Sequence, residues 1–335
     1  MSITQARVAI ITVTFNSDTF IDNFLQAILP FISDSHHELI LVDNASTDNT
    51  TEHVQQYINQ HKLHENTHLI KLPKNIGFGR GCNAGIARAL EIEATHMWFL
   101  NPDTEVLNNS AQELLTLFET DSSVDFAGSV LINEDKQPRA GAFRFPSALN
   151  VCLSSLKLGI LDKAFKNHTT AIPIEKQAYQ ADWLTGASFM ARSACIKRLD
   201  GFDPAFFLYF EEVDLFYRAK QKGLSVWCCP NSKVFHISGA STGINNQKKT
   251  VDKSAITKRQ PSYWFDSRRH FYISNYGKAY FTLVDLCQIC CTCFWKIRAA
   301  LQNKKDDTPS HFISDIAHHS YPYRLWKNMF STNKK

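Results

Sequence analysis

A chain of 335 residues, 44% of them hydrophobic, with only 13 glycines and 11 prolines, can bury a large core; this excludes a disordered tail and a low-complexity linker. The formal charge of +4 is unevenly divided, because residues 246–335 carry 16 Lys and Arg against 6 Asp and Glu, leaving residues 1–245 at −6. The basic end therefore reads as a surface of its own, with anionic lipid, phosphate and nucleic acid as the partners that composition allows.

Met1 to Arg7 lead into Val8-Ala9-Ile10-Ile11 without a basic leader, an apolar h-region or a small-residue cleavage site, so the N-terminal part is expected in the cytoplasm. Nine cysteines, at 82, 152, 195, 228, 229, 287, 290, 291 and 293, form neither an even disulfide framework nor paired zinc spacings and are expected to be reduced.

Along the chain, short apolar runs at Val8–Thr14, Leu39–Val42, His68–Leu72 and Met97–Leu100 alternate with helical periodicity, the pattern of a parallel sheet in an α/β layer. Phe20, Phe24, Leu25 and Ile28 mark one apolar helix face, and Asn49 with Glu52 resembles a capping box. Ligands of open α/β sheets lie beyond the carboxyl ends of the strands, which singles out Thr14-Phe15-Asn16, Asp43-Asn44 and Asn101-Pro102-Asp103. From Phe143 to Gln180 no period is clear, and irregular structure around a substrate is expected. A strand is expected at Trp183–Ala191, a helix at Glu211–Lys222 ended by Gly223, and a short strand at Ser225–Cys229.

Several of these segments carry chemistry, each with a plainer alternative. Asp43 suits a nucleobase N–H or a ribose hydroxyl, and equally a helix N-cap. Asn75-Ile76-Gly77-Phe78-Gly79-Arg80-Gly81 opens a helix with glycines that allow close approach and an Arg that neutralises phosphate, or it forms a simple tight turn. Asp103 next to Pro102 suits Mg²⁺ or Mn²⁺, or only an Asn-Pro-Asp turn. Phe206 to Phe210 run into Glu211, Glu212 and Asp214, and carboxylates crowded beside apolar side chains have raised pKa values suited to a general base. His236 reads as a hydrogen-bonded core histidine or as a second metal ligand.

Taken in order, Val8–Asn16, Val42–Asp48, Asn75–Asn83, Asn101–Asp103, Trp183–Ala187 and Glu211–Asp214 resemble the family 2 glycosyltransferases of the GT-A fold, particularly the bacterial rhamnosyltransferase-like branch. The resemblance covers about residues 7 to 245. It implies a Rossmann-like α/β catalytic domain for nucleotide-diphosphate sugars at residues 1–245, and a basic, mainly helical extension at 246–335. It implies that Thr14 and Phe15 flank the base, that Asp43 bonds it, and that Arg80 faces the diphosphate. Asn16, Asn75, Gly77 and Asn101 complete the donor site, while Trp183, Gly186, Arg268 and Arg269 serve the acceptor. Asp103 matches the last acid of the family's metal-binding Asp-x-Asp element, with Asn101 standing where many relatives have Asp, and His236 supplies a second ligand to Mg²⁺ or Mn²⁺. Glu212 matches the catalytic base, although Glu in place of Asp lengthens the arm and keeps Glu211 and Asp214 as alternatives.

The implied reaction is an inverting sugar transfer to a hydroxyl of a glycan or lipid-linked acceptor in cell-surface polysaccharide synthesis, with deoxythymidine diphosphate rhamnose as donor. A UDP-hexose donor is the alternative, and a sugar-nucleotide-binding protein without turnover is the rival class. In the basic end, Tyr263 to Tyr272 interleave aromatics with cations, which suits a lipid phosphate better than nucleic acid because no nucleic-acid fold signature accompanies them; nucleic acid is not an expected partner. Ala279–Trp295 is marginal for a membrane span. An interfacial or packing helix fits better, with peripheral contact on the inner face of the cytoplasmic membrane expected. Its four cysteines read as packing residues.

Overall fold

The computed structural model describes residues 6–33, 36–107, 109–237 and 259–331. In chain order the first elements are β1 (Val8–Thr14), α1 (Ile21–Ile32), β2 (Glu38–Asp43), α2 (Thr50–His61), β3 (Thr67–Lys71), α3 (Phe78–Glu91), β4 (His96–Leu100), β5 (Thr104–Leu107), α4 (Ser110–Thr120) and β6 (Phe126–Ile132). There follow β7 (Pro138–Arg139), β8 (Ala142–Phe143), α5 (Ala148–Leu156), α6 (Gly159–Ala164), β9 (Tyr179–Gln180), β10 (Trp183–Leu184), β11 (Ser188–Arg192) and α7 (Ser193–Leu199). The last are α8 (Glu211–Gln221), β12 (Val226–His236), α9 (Ser262–Tyr276), α10 (Lys278–Leu301), α11 (Phe312–His319) and α12 (Tyr321–Ser331).

The chain divides into two compact units. The first takes residues 1–143, 171–207 and 211–248; the second takes 144–170, 208–210 and 249–335. The expected boundary at 245/246 lies outside the described residues. The second unit is not confined to the C-terminal segment, because α5 packs along α10. The Tyr280 hydroxyl accepts the Ala148 N–H at 3.0 Å, and Arg298 donates to the Leu156 carbonyl at 2.9 Å.

In the first unit the main sheet has the order β3-β2-β1-β4-β11-β6-β12-β5. β1, β2 and β4 are buried along their whole length, which is why they read as continuous apolar runs. Phe24, Leu25 and Ile28 of α1 pack with Ile10, Leu39, Leu41 and Trp98 in one core, each buried side chain stabilising by about 1.5–3 kcal/mol. The parallel arrangement expected holds for β3, β2, β1 and β4, but β11 pairs antiparallel with both β4 and β6. Since β2 and β4 flank β1 on opposite sides, the chain reverses its order there, and a crevice opens at their carboxyl ends.

Other expectations are corrected locally. The strand expected over Trp183–Ala191 is broken, with β10 paired to β8 and β11 in the main sheet. Residues 143–180 are not wholly irregular, for they include α5, capped by reciprocal Ser147 and Asn150 bonds, and α6. Asn49 makes no side-chain cap on α2; Asp48 accepts the Thr50 N–H instead, at 3.1 Å. The last strand runs on from Val226 to His236, with its register against β6 shifting between Cys229 and Lys233, where Pro230 has no N–H to give.

Gly77, before α3, has φ +94°, and a Cβ there would lie 2.3 Å from the Phe207 carbonyl oxygen, which accepts the Phe78 N–H. Gly223, after α8, also has positive φ but opens on empty space. Gly77→Ala is therefore expected to lower the thermal midpoint by roughly 4 °C or more, and by more than Gly223→Ala, because only the first adds a backbone clash to the dihedral strain. Equal losses would dispose of the clash.

Candidate active site

The crevice is lined first by the loops after β1 and β2. Asp43, at the end of β2, is 3% exposed; Oδ1 accepts the Thr14 hydroxyl at 3.2 Å and Oδ2 the Ser46 N–H at 3.1 Å. Asn16 adopts φ +51°, a conformation its short amide tolerates, and from it accepts the Thr47 N–H at 2.8 Å while donating its own N–H to Ser46 Oγ. Phe15, preceding Asn16, is 38% exposed.

Asn44, to which the sequence reading assigned no role, ties in the third loop. It donates to Asn75 Oδ1 at 3.0 Å and to the Gly77 carbonyl at 3.2 Å, and accepts the Ile76 N–H at 2.9 Å. The close approach allowed by the glycines here is to protein. A Cβ on Gly79 would meet Phe202 and Glu211, on Gly81 Val13, and on Gly85 Ile11, so α3 lies tight on β1 and beside α8. Asn83 clamps the Phe202 backbone from both sides, accepting its N–H at 2.9 Å and donating to its carbonyl at 2.8 Å. Arg80 is exposed and anchored through Nε to the Pro204 carbonyl at 2.6 Å.

The second cluster stands where β5 pairs with β12, His236 facing Thr104 in register. The Ile237 N–H donates to the Asp103 carbonyl at 3.2 Å, and His236 Nε2 lies 3.4 Å from Asp103 Oδ1. These side chains are 1% exposed for Asp103 and 14% for His236, although 133 positions separate them in the sequence. Asn101 holds the turn, its carbonyl accepting both the N–H and the hydroxyl of Thr104. Its Oδ1 and His236 Nδ1 are buried with no hydrogen-bond partner among the described residues. An oxygen and an imidazole, beside orphaned polar atoms, form a donor set that suits a divalent cation. No group of three or more His, Cys, Asp or Glu able to hold an ion is present among the described residues.

The third cluster opens α8. Glu211 is 3% exposed, and burial followed by the neighbouring Glu212 charge pushes its carboxyl well above the usual carboxylate range. Glu212 is partly buried, and burial raises it to about 7. Backbone N–H groups of the first helical turn oppose both shifts. Glu211 lies against Gly79, whereas Glu212 Oε1 would be 3.9 Å from a Cβ on Gly186, so Glu212 faces the 183–187 turn. There Trp183 stacks on Phe143 at 4.4 Å. Asp214 is engaged otherwise: Arg218 Nε donates to it at 2.7 Å, and the same guanidinium caps the Leu199 and Gly201 carbonyls.

Arg268 and Arg269, expected to serve the acceptor, lie in the second unit, and they differ in burial. Arg268 is 4% exposed, paired with Asp285 and enclosed by the Tyr272 and Phe281 rings, each 5.3 Å from its guanidinium. A cation so buried is a packing element. Arg269 pairs with Asp266 at 3.4 Å; burial, and then the adjacent Arg324, lower its proton affinity.

A family model described as glycosyl transferase family 2 matches residues 9–178. The chain is 27% identical over 249 residues, 70% of its length and 77% of the relative's, to the N-acetylglucosaminyl-diphospho-decaprenol L-rhamnosyltransferase of Mycobacterium tuberculosis. It is 25% identical over 238 residues to the rhamnosyltransferase WbbL of Escherichia coli, covering 68% of this chain and 83% of WbbL. Among solved structures, the mannosyltransferase PcManGT of Pyrobaculum calidifontis, in complex with GDP-Man and Mn²⁺, superposes with a TM-score of 0.53 at 14% identity, over 97% of this chain and 84% of that one.

The Asp214–Arg218 pair yields a test independent of chemistry. Arg218→Ala removes the guanidinium that pairs with a buried carboxylate and bonds two carbonyls, and is expected to destabilise the protein by about 3 kcal/mol in chemical denaturation. A loss under about 0.5 kcal/mol would mean that the pair is not structural.

Proposed function

The chain belongs to glycosyl transferase family 2 with a GT-A fold, and from that premise we propose that it moves L-rhamnose, with inversion, from deoxythymidine diphosphate rhamnose to a hydroxyl of a lipid-linked or glycan acceptor. The two rhamnosyltransferase relatives support the sugar, and the diphospho-decaprenol acceptor for which one of them is named supports a lipid carrier. Synthesis of surface glycan at the inner face of the cytoplasmic membrane follows from the same reading.

The observation that carries the proposal is the placement of Glu212 at the start of α8, its Oε1 beside Gly186 and its Oε2 buried without a hydrogen-bond partner among the described residues, where burial raises the carboxyl to about 7. It takes the proton of the acceptor hydroxyl while that oxygen forms a bond to the anomeric carbon; the bond from that carbon to the diphosphate oxygen breaks on the opposite face. Burial, and then the Glu212 charge, raise the Glu211 carboxyl, and Glu211 lies against Gly79, which leaves Glu212, beside Gly186, as the base of the pair. Asp214, already neutralised by Arg218, is a poorer candidate. Thr14, Phe15, Asn16 and Asp43 bind the nucleoside, with Asn75 and Asn101 at the edges and Arg80 toward the diphosphate. Trp183 and Gly186 border the acceptor.

Asp103 and His236 would hold Mg²⁺ or Mn²⁺. The ion, when bound, offsets negative charge on the departing diphosphate. Two protein ligands suffice for an ion that shares its remaining positions with substrate phosphate and water. His236→Ala is expected to weaken Mn²⁺ binding, measured by calorimetry with deoxythymidine diphosphate present, by about tenfold or more. Unchanged Mn²⁺ affinity would remove His236 from the site.

With deoxythymidine diphosphate rhamnose and an N-acetylglucosaminyl diphospholipid acceptor, Glu212→Gln should lose ~10²–10⁴ in turnover with donor affinity unchanged. Wild-type kcat/KM should rise with pH to a plateau above about 7. The same shift governs stability. Because the folded protein holds this proton more tightly than the unfolded chain, whose carboxyl titrates near 4.5, the stabilisation is complete below about pH 4.5 and is lost as pH rises through about 7. Glu212→Gln is accordingly expected to raise the thermal midpoint at pH 8 but not at pH 4.5. Retained turnover would refute the assignment.

A further inference from the structure

Helix α10 is apolar on two opposite faces. One face, Phe281, Val284, Trp295 and Ala299, is buried within the second unit. The other carries Leu283 at 49% exposure, Leu286 at 56%, Phe294 at 51%, Ile297 at 62% and Leu301 at 82%, with exposed Cys290 and Cys293 among them. At 3.6 residues per turn these residues fall on one stripe about 27 Å long, on the side away from the buried set. The rotation of the helix is fixed by polar contacts on its inner side: Asp285 accepts from Arg268, Trp295 Nε1 donates to Asp306 at 3.0 Å, and Arg298 donates to the Leu156 and Lys157 carbonyls. The stripe is therefore presented outward by design of the packing, and a continuous apolar surface of this length is unusual on a free monomer.

Cations border it. Lys278 starts the helix, Lys296 is exposed but paired with Asp306 at 2.6 Å, and exposed Lys304 and Lys305 follow the end of the helix ahead of Asp306 and Asp307, in a segment of net charge +10. We propose that α10 lies flat in the interface of an anionic phospholipid bilayer, the leucine stripe entering the acyl boundary and the lysines meeting lipid phosphates. Its 24 residues are long and apolar enough to cross a membrane, but crossing would draw Asp285, Gln288 and Thr292, with the helices packed on them, into hydrocarbon. A second copy on the same stripe would bring two strongly basic segments together. The inference rests on this helix and its charges alone and does not depend on the reaction proposed above.

The test is sedimentation of the full chain with phosphatidylglycerol-containing vesicles and with pure phosphatidylcholine vesicles, with the mass in solution measured alongside. Binding is expected to favour the anionic vesicles, to fall roughly tenfold or more in Leu286→Glu/Ile297→Glu, and to weaken in Lys304→Glu/Lys305→Glu, with thermal midpoints unchanged. Three results would overturn it: no anionic preference, vesicle binding unaffected by the double glutamate variant, or a dimer without vesicle binding that this variant splits into monomers.

Discussion

Two successive carboxyl groups held away from water at the first turn of one helix are the constraint around which the first unit is organised. Burying Glu211 is costly for the anion and raises its proton affinity, and burial raises that of the neighbouring Glu212 to about 7. The glycines of α3 make this burial possible. A Cβ at Gly79 would crowd Phe202 at 3.2 Å and come into contact with Glu211, and at Gly81 or Gly85 would push α3 off β1. Asn83 and Arg80 then fasten the segment that leads into α8, through Phe202 and Pro204.

A second long-range constraint supplies the other half of the site. Asp103 follows a buried strand and His236 ends another, and only the pairing of β5 with β12 brings them within 3.4 Å. The loops after β1, β2 and β3 are knit by short side chains, Thr14, Asn16, Asn44 and Asn75, whose amides and hydroxyls satisfy one another's backbone. Loops cross-bonded in this way hold their polar groups in fixed directions, and polar groups already oriented need little reorganisation as charge moves.

Much of this was legible in the residues because the physics was local. β1, β2 and β4 are buried on both faces and so read as unbroken apolar runs, and the ends of those runs are the ends of the strands. The hydrophobic lead into Glu211 and Glu212 announced their burial. Where the partner was distant, the sequence was mute. α5 buries only Asn150 and Leu153 of its own turns against nothing nearby in sequence, which leaves no period to detect. Arg268, among aromatics and beside another Arg, looked like a surface cation, and only Asp285 on the next helix makes it a buried one. The Asn44 side chain carries three bonds, all to residues more than 30 positions away.

The account turns on the proton held by the paired carboxyl groups of α8. Carbon-13 NMR of protein labelled at the glutamate carboxyls reads that proton directly, as a titration belonging to the pair. A carboxyl resonance that moves with an apparent midpoint near 7 in wild type and vanishes in Glu212→Gln is the result this account requires. Glutamate signals that all titrate below about pH 5 would contradict it, since both groups would then be ordinary solvated acids.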